Sequence, residues 1–222
     1  KSYSDRVDFI NQSFTDPIIL ERKADAAIAI GTIHHCADPE GALVNIVNAV
    51  KPGGIVAFMV YSSRSAHRRY ELKEVLAILE PGGDLDKVSE LAWDYEKKYD
   101  GLFDRTPRQT VRHIRNALSH RLKLLLGRKA HGYETATSDK VMVADSYLSP
   151  IDVSFDTEGL RALLDRSGLE ALKFIGLGRD NEDLIPSSWR ERWYALDPWQ
   201  KRRVLELIDP VPTSWSVICR KP

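Results

Sequence analysis

Residues 26–62 read AAIAIGTIHHCADPEGALVNIVNAVKPGGIVAFMVYS, and this stretch decides the fold class. The apolar runs 25–30 and 55–61 are short and predict strands covered on both faces of a sheet. Between them, Asp38-Pro39 supplies a helix N-cap and a proline for the first helical turn. Apolar residues then recur at helical spacing until Lys51-Pro52-Gly53-Gly54 ends the helix.

The strand–helix–strand order of this stretch implies a right-handed crossover between two parallel strands. Such units build open α/β sheets, and these sheets bind ligands outside the carboxyl ends of their strands. We therefore expect a ligand site near Phe14, near residues 30–35 and near residues 61–63.

The chain divides into three parts by its patterns. Residues 1–63 hold the unit above and a further strand predicted at 7–14. Residues 64–139 hold three helical stretches without a strand between them, which predicts a helical insertion or lid. Residues 140–222 return to the α/β pattern, with a helix from 156, a strand at 169–177, helices at 189–196 and 198–208, and an antiparallel last strand at 215–219.

Composition indicates an ordinary globular protein of the cytoplasm. Lys+Arg and Asp+Glu are both 32, so a net charge of zero gives no electrostatic argument for a nucleic-acid or membrane partner. The cysteines, Cys36 and Cys219, predict no disulfide framework and a reducing compartment. No apolar run approaches the ~18–20 residues of a membrane span.

The beginning of the chain bears on its completeness. It starts at Lys1 rather than at a methionine, a few residues before the strand predicted at 7–14. We interpret the chain as the C-terminal part of a larger protein, and the alternative is a trimmed or partly omitted N-terminus. A sheet without its first strands would expose apolar edges, so we expect the isolated chain to be poorly soluble or to form oligomers.

The sequence of residues 7–63 resembles the class I S-adenosylmethionine (SAM)-dependent methyltransferases. The strand before GTIHHCADP, the helix, the KPGG turn and the next strand look like the second half of their sheet. Residues 145–177 look like the late part of such a domain, and WSVIC at 215–219 fits its antiparallel last strand. The resemblance implies a Rossmann-like, mostly parallel α/β sheet, truncated at its N-terminus, and SAM as the cofactor.

The resemblance also implies where the cofactor would lie. The family's loop after the third strand touches adenine, and its counterpart here carries Ser13 and Phe14. The end of the fourth strand, which lies beside the methionine part of SAM, corresponds to Ile30 and Gly31, with His34 beyond them. The family's glycine-rich loop and its ribose-binding carboxylate have no counterpart in these 222 residues.

The histidine pair after Gly31 is open to several interpretations. A metal site would need further ligands, and the other histidines are scattered. His35 is our candidate for a general base, because imidazole titrates near neutrality. The remaining interpretation is that His34 and His35 fix the bend and line the pocket floor. Tyr61, at the end of the next strand, is a candidate for contact with the substrate.

The methyl acceptor and the partners are expectations only. A small molecule is the acceptor that we expect, and no membrane partner is expected. RNA is a weaker alternative that depends on a basic stretch around Arg108, Arg112 and Arg115; a solvated basic face is the other interpretation of that stretch. For the whole chain, the alternative to an enzyme is a methyltransferase-like interaction module without catalysis.

Overall fold

The computed structural model describes residues 7–99, 147–178, 181–209 and 214–222. The chain divides into two compact units. The first comprises residues 1–63, 151–208 and 213–222, and it contains the sheet. The second comprises residues 64–150 and 209–212.

The predicted strand–helix–strand unit is confirmed. Strand β1 spans Ala24–Ile30, helix α1 Pro39–Asn48 and strand β2 Val50–Ser62. The two strands are parallel, with Ala26 opposite Ile55 and Ile30 opposite Met59. The KPGG residues lie inside the observed β2, where Gly53 has φ +77° and donates its N–H to the carbonyl of Lys221.

In the described parts of the chain, the second half of the first unit completes a five-stranded sheet. Strand β5 is antiparallel to β2 and to β4, as predicted. A short strand, β3, pairs in parallel with the end of β2. Along the sheet the order is β1-β2-β5-β4, with β3 beside β2. The bounds are Ser154–Phe155 for β3, Thr157–Arg166 for α4, Glu170–Phe174 for β4, Arg190–Tyr194 for α5, Pro198–Ile208 for α6 and Trp215–Arg220 for β5.

Aspartates fix the starts of three helices. Asp38 accepts from Gly41 N–H at 2.9 Å and Asp156 from Gly159 N–H at 2.8 Å. Asp197 accepts from the N–H groups of Trp199 and Gln200 at the start of α6. Each carboxylate satisfies N–H groups that have no partner inside the helix and lies at the positive end of the helix dipole.

The core of the first unit lies between the sheet and its helices. Phe58 and Trp215 have less than 2% of their surface exposed, and Leu43 of α1 and Leu163 of α4 pack into the same cluster. These positions follow the helical and alternating spacings of the sequence. Burial of this apolar surface is therefore what holds the carboxyl ends of β1 and β2 side by side.

Two predictions for the N-terminal part are wrong. Residues 7–14 form no strand: Phe9 is 95% exposed, and residues 7–23 contain no paired segment. A strand requires a neighbouring strand for its N–H and C=O groups, and β1 pairs with β2 alone in the described parts of the chain. The prediction that β1 is covered on both faces is also wrong, because Ile28 is 77% exposed.

The second unit is helical where it is described. Helix α2 spans Ser63–Leu79 and α3 spans Leu85–Tyr99, separated by the predicted Pro-Gly-Gly turn, in which Gly83 has φ +65°. Leu72 and Leu76 of α2 pack with Val88 and Ala92 of α3. The third predicted helix lies outside the described residues, as does the basic stretch that contains Arg108, Arg112 and Arg115.

Candidate functional site

The bend after β1 begins at Gly31. This residue has φ +70°, a conformation that costs a residue with a side chain about 1–2 kcal/mol. A short 3₁₀ turn, Ile33–His35, follows and leads to the N-cap of α1. Gly31 therefore turns the chain sharply at the carboxyl edge of the sheet and sets the positions of the two histidines.

The two imidazoles and the ring of Tyr61 form one cluster. The His34 centroid lies 3.8 Å from that of Tyr61 and 4.3 Å from that of His35. His35 meets Tyr61 edge to face, with centroids 5.6 Å apart. His34 is fully buried, whereas the side chain of His35 is 20% exposed. The structure thus brings together the predicted base candidate and the predicted substrate residue.

The segment before β3 completes the cluster with an acid that sequence reasoning missed. Val153 N–H donates to the carbonyl of His34 at 2.8 Å. Nδ1 of His35 lies 3.2 Å from the carbonyl oxygen of Ile151 and 2.9 Å from Oδ1 of Asp152. The Asp152 side chain is 3% exposed. The signal in the sequence was a single carboxylate between two apolar residues, directly before a strand.

Ile30 and Gly31 lie at the open end of β1. The Ile30 side chain is 56% exposed, although it ends a strand of the sheet. Beyond its chain neighbours, the nearest atom to a Cβ built on Gly31 is Cε of Met59, at 3.9 Å. Among the described residues no other atom comes within 4 Å of this position, which leaves room for a ligand against the backbone at Gly31.

The loop that carries Ser13 and Phe14 is tied to α1. The Asn45 side chain donates to the carbonyls of Phe14 and Thr15 at 3.2 and 3.0 Å. Ser13 is exposed, and its hydroxyl lies 2.7 Å from that of Thr15. Phe14 packs against the apolar core. The described contacts of these two predicted residues are thus with α1 and the core, while His34, His35 and Tyr61 contact one another.

The cysteines are packed residues of the first unit. Cys36 is 7% exposed, and burial together with the nearby Asp38 raises the pKa of its thiol. Cys219 is fully buried, which raises the pKa of its thiol to about 12. Both thiols are neutral at pH 7, so neither is an activated nucleophile.

Two further features bear on ligand binding. Within the described residues, no group of three or more His, Cys, Asp or Glu side chains could hold a metal ion. A cavity of about 590 Å³ lies at the start of β4 and along α6, where Phe174, Trp199 and Arg202 line it. None of the predicted site residues lines this cavity, so it is separate from the ring cluster.

Comparison with known proteins addresses the fold directly. Residues 1–58 match the family described as "Methyltransferase domain". PKMT2 from Rickettsia typhi superposes with a TM-score of 0.62 at 14% identity, and its complex with AdoHcy superposes with a TM-score of 0.60 at 15% identity. Each covers 94% of this chain. The fold is similar to the Rossmann-like fold of these methyltransferases, and the fold expected from the sequence is thereby confirmed.

The methyltransferase fold covers this chain but only part of each relative. The chain is 28% identical over 216 residues to a protein of Synechococcus sp. described as uncharacterized, and it covers 48% of that protein. It covers 37% of PKMT2. The chain thus spans about half the length of the curated relative and 37% of PKMT2. No helix among the described residues is long and apolar enough to cross a membrane.

Proposed function

We propose that this chain supplies the side of a SAM site formed by the carboxyl ends of β1 and β2. These strands correspond to the fourth and fifth strands of the methyltransferase sheet. We further propose that the chain takes part in methyl transfer to a small-molecule acceptor in the cytoplasm. The observation that carries the proposal is Gly31, whose φ of +70° opens the backbone at the carboxyl end of β1, in a methyltransferase fold. Ligands of open α/β sheets bind at this edge.

The residues present fit the cofactor at this edge. Glycine allows a ligand to approach the main chain closely, and the exposed apolar side chain of Ile30 gives the methionine part a surface to contact. Ser13 offers an exposed hydroxyl for the adenine part. Phe14 forms a wall rather than a stacking platform, because its ring packs against the core.

The chemistry divides between cofactor and chain. When bound, SAM supplies an electrophilic methyl group on a sulfonium ion. The chain orients the reacting groups and excludes water, which is where most of the protein's contribution to such a transfer lies. His34 and Tyr61 form the floor that fixes the position of His35, and His35 faces the acceptor.

The second candidate is an interaction module without catalysis. The observation that favours it is the uncovered apolar face of β1, where Ile28 is 77% and Ile30 is 56% exposed. Such a face is typical of a surface that another polypeptide covers. The covering polypeptide would then occupy the edge of the sheet at which we place the cofactor.

Calorimetric titration of the full-length protein with SAM and with AdoHcy distinguishes the two candidates. The methyltransferase proposal predicts saturable binding of both compounds and an increase in the melting temperature with their concentration. No heat of binding and no shift in melting temperature for either compound would contradict it and favour the module.

A further inference from the structure

The segment 151–155 contacts the bend after β1 at two points. The N–H of Val153 donates to the carbonyl of His34 at 2.8 Å. The carbonyl oxygen of Ile151 lies 3.2 Å from Nδ1 of His35. Because the main chain of the segment makes both contacts, the position of the bend depends on the path of this backbone.

Trp215, the first residue of β5, holds the other end of the segment. Its side chain is fully buried, and its Nε1–H donates to the carbonyl of Phe155 at 2.7 Å. An indole N–H can only donate, and a buried donor that loses its acceptor is costly. The indole ring and the end of β3 therefore stay together.

The surroundings of this indole fix its position. Trp215 stands opposite Val60, the residue before Tyr61, so it lies at the carboxyl end of β2. The ring of Phe174 meets it edge to face, with centroids 6.2 Å apart. A Cβ on Gly178 would lie 2.5 Å from the indole ring, so the glycine leaves the space that the ring occupies. The indole is thus a fixed support beside the candidate site.

We propose that Trp215 is a positioning residue of the candidate site, which holds the segment 151–155 and, through it, the bend that carries His34 and His35. The proposal rests on the proposed function, in which His34 lies beside the cofactor and His35 faces the acceptor. Trp215 acts through the carbonyl of Phe155, so the indole N–H is the group on which the effect depends.

A matched pair of variants isolates this N–H. Trp215→Phe keeps an aromatic ring and removes the donor. Trp199→Phe makes the same exchange at an indole that also meets Phe174 edge to face, with centroids 5.9 Å apart, and that lines the separate cavity. A difference between the variants therefore reports the contact with the segment 151–155.

Hydrogen exchange of the full-length protein, followed by NMR, tests the hold on the segment. The reference is the N–H of Ala24, which donates to the carbonyl of Ala49. A general loss of stability speeds both amides, whereas a released segment speeds Val153 alone. We expect the ratio of the Val153 rate to the Ala24 rate to rise at least about tenfold in Trp215→Phe and to stay unchanged in Trp199→Phe. An unchanged ratio in folded Trp215→Phe would overturn the proposal.

The imidazole signals give a second readout, which a purely stabilising role of the indole would not move. Trp215→Phe should shift the signals of His34 and His35 and leave those of His67, an exposed histidine on α2, in place. Trp199→Phe should shift none of them. Unshifted signals of both bend histidines in folded Trp215→Phe would also overturn the proposal.

The wild type decides the question if Trp215→Phe fails to fold by circular dichroism. One opening of the segment would free both the indole N–H of Trp215 and the amide of Val153. Their protection factors should therefore agree within about threefold. An indole N–H that is far less protected than the Val153 amide would overturn the proposal.

Calorimetry with SAM links the positioning to the site. We expect Trp215→Phe to weaken SAM binding at least about threefold, because misplaced groups lose contact with the ligand, and Trp199→Phe to bind as the wild type does. Equal affinities of Trp215→Phe and the wild type would overturn the positioning role. If the wild type binds no SAM, the proposed function fails, while hydrogen exchange and the histidine signals still decide whether Trp215 holds the bend.

Discussion

The ring of Tyr61 at the end of β2 packs on the buried imidazole of His34, with centroids 3.8 Å apart and planes tilted by 41°. This contact joins the end of one strand to the bend that follows its parallel neighbour. Because both residues lie at the carboxyl edge, the geometry of the candidate site depends on packing within the sheet unit.

Removal of the Tyr61 ring should therefore loosen the bend. We expect Tyr61→Ala to lower the free energy of unfolding by about 3 kcal/mol, because it leaves a cavity against His34. Tyr61→Phe keeps the ring and should stay within about 1 kcal/mol of the wild type. Urea unfolding measures both, and equal losses in the two variants would show that the hydroxyl, not the ring, stabilises the bend.

The cap of α1 can be tested separately. Asp38→Ala removes the acceptor for Gly41 N–H and should cost about 1 kcal/mol. Asp38→Asn keeps an acceptor oxygen and should cost clearly less. Thermal and urea unfolding provide the comparison. An alanine variant as stable as the wild type would show that water replaces the carboxylate at no cost.

A buried carboxylate anchors the start of α4. Glu206 is 2% exposed and accepts from Thr157 through its backbone N–H at 3.1 Å and its hydroxyl at 2.6 Å, and also from Arg203. Glu206→Ala leaves the buried N–H and hydroxyl of Thr157 without an acceptor and should cost about 3 kcal/mol. Glu191→Ala, at an exposed glutamate, is the matched control and should change the free energy of unfolding by less than about 0.5 kcal/mol. A loss below about 1 kcal/mol for Glu206→Ala would contradict the anchoring role.

Stability should fall in alkali because of Cys219. Its thiol has a pKa of about 12 in the folded chain against an ordinary value of 9.0, since burial disfavours the thiolate. The unfolded thiol ionises above about pH 9, so this contribution is fully present below pH 9 and is lost between pH 9 and 12, by about 1.4 kcal/mol per pH unit. Urea unfolding at pH 8 and pH 10 should show a smaller decrease for Cys219→Ala than for the wild type. Equal decreases in the two proteins would contradict the assignment.

Much of the fold follows from local patterns. The strands at β1 and β2 and the Asp38 cap are read within a few residues, and the structure agrees with them. The KPGG residues, predicted as the turn that ends the helix, instead belong to β2, and α1 ends at Asn48. The antiparallel β5 was predicted from the order of the late elements, and it also fits the resemblance to methyltransferases. These features depend on short-range chemistry or on a fold that many sequences share.

The rest depends on contacts between distant parts of the chain. The strand predicted at 7–14 is absent because a strand needs a neighbour, and one face of β1 is exposed because covering it requires another element packed onto the sheet. Asp152 was not predicted as a site residue, because it comes close to His35 only when β3 pairs with the end of β2. Local spacing carries no information about such a contact.

The most direct test of the SAM proposal is a matched pair of glycine variants. Gly31 and Gly53 have φ of +70° and +77°, so alanine at either position should cost about 1–2 kcal/mol of stability through the same backbone strain. Gly31 lies at the proposed cofactor edge, whereas Gly53 lies in the KPGG segment of β2.

Calorimetry with SAM on the folded full-length variants measures the difference. We expect Gly31→Ala to weaken SAM binding at least about tenfold and Gly53→Ala to leave the dissociation constant at its wild-type value. Equal affinities for all three proteins, or no SAM binding by the wild type, would contradict this expectation.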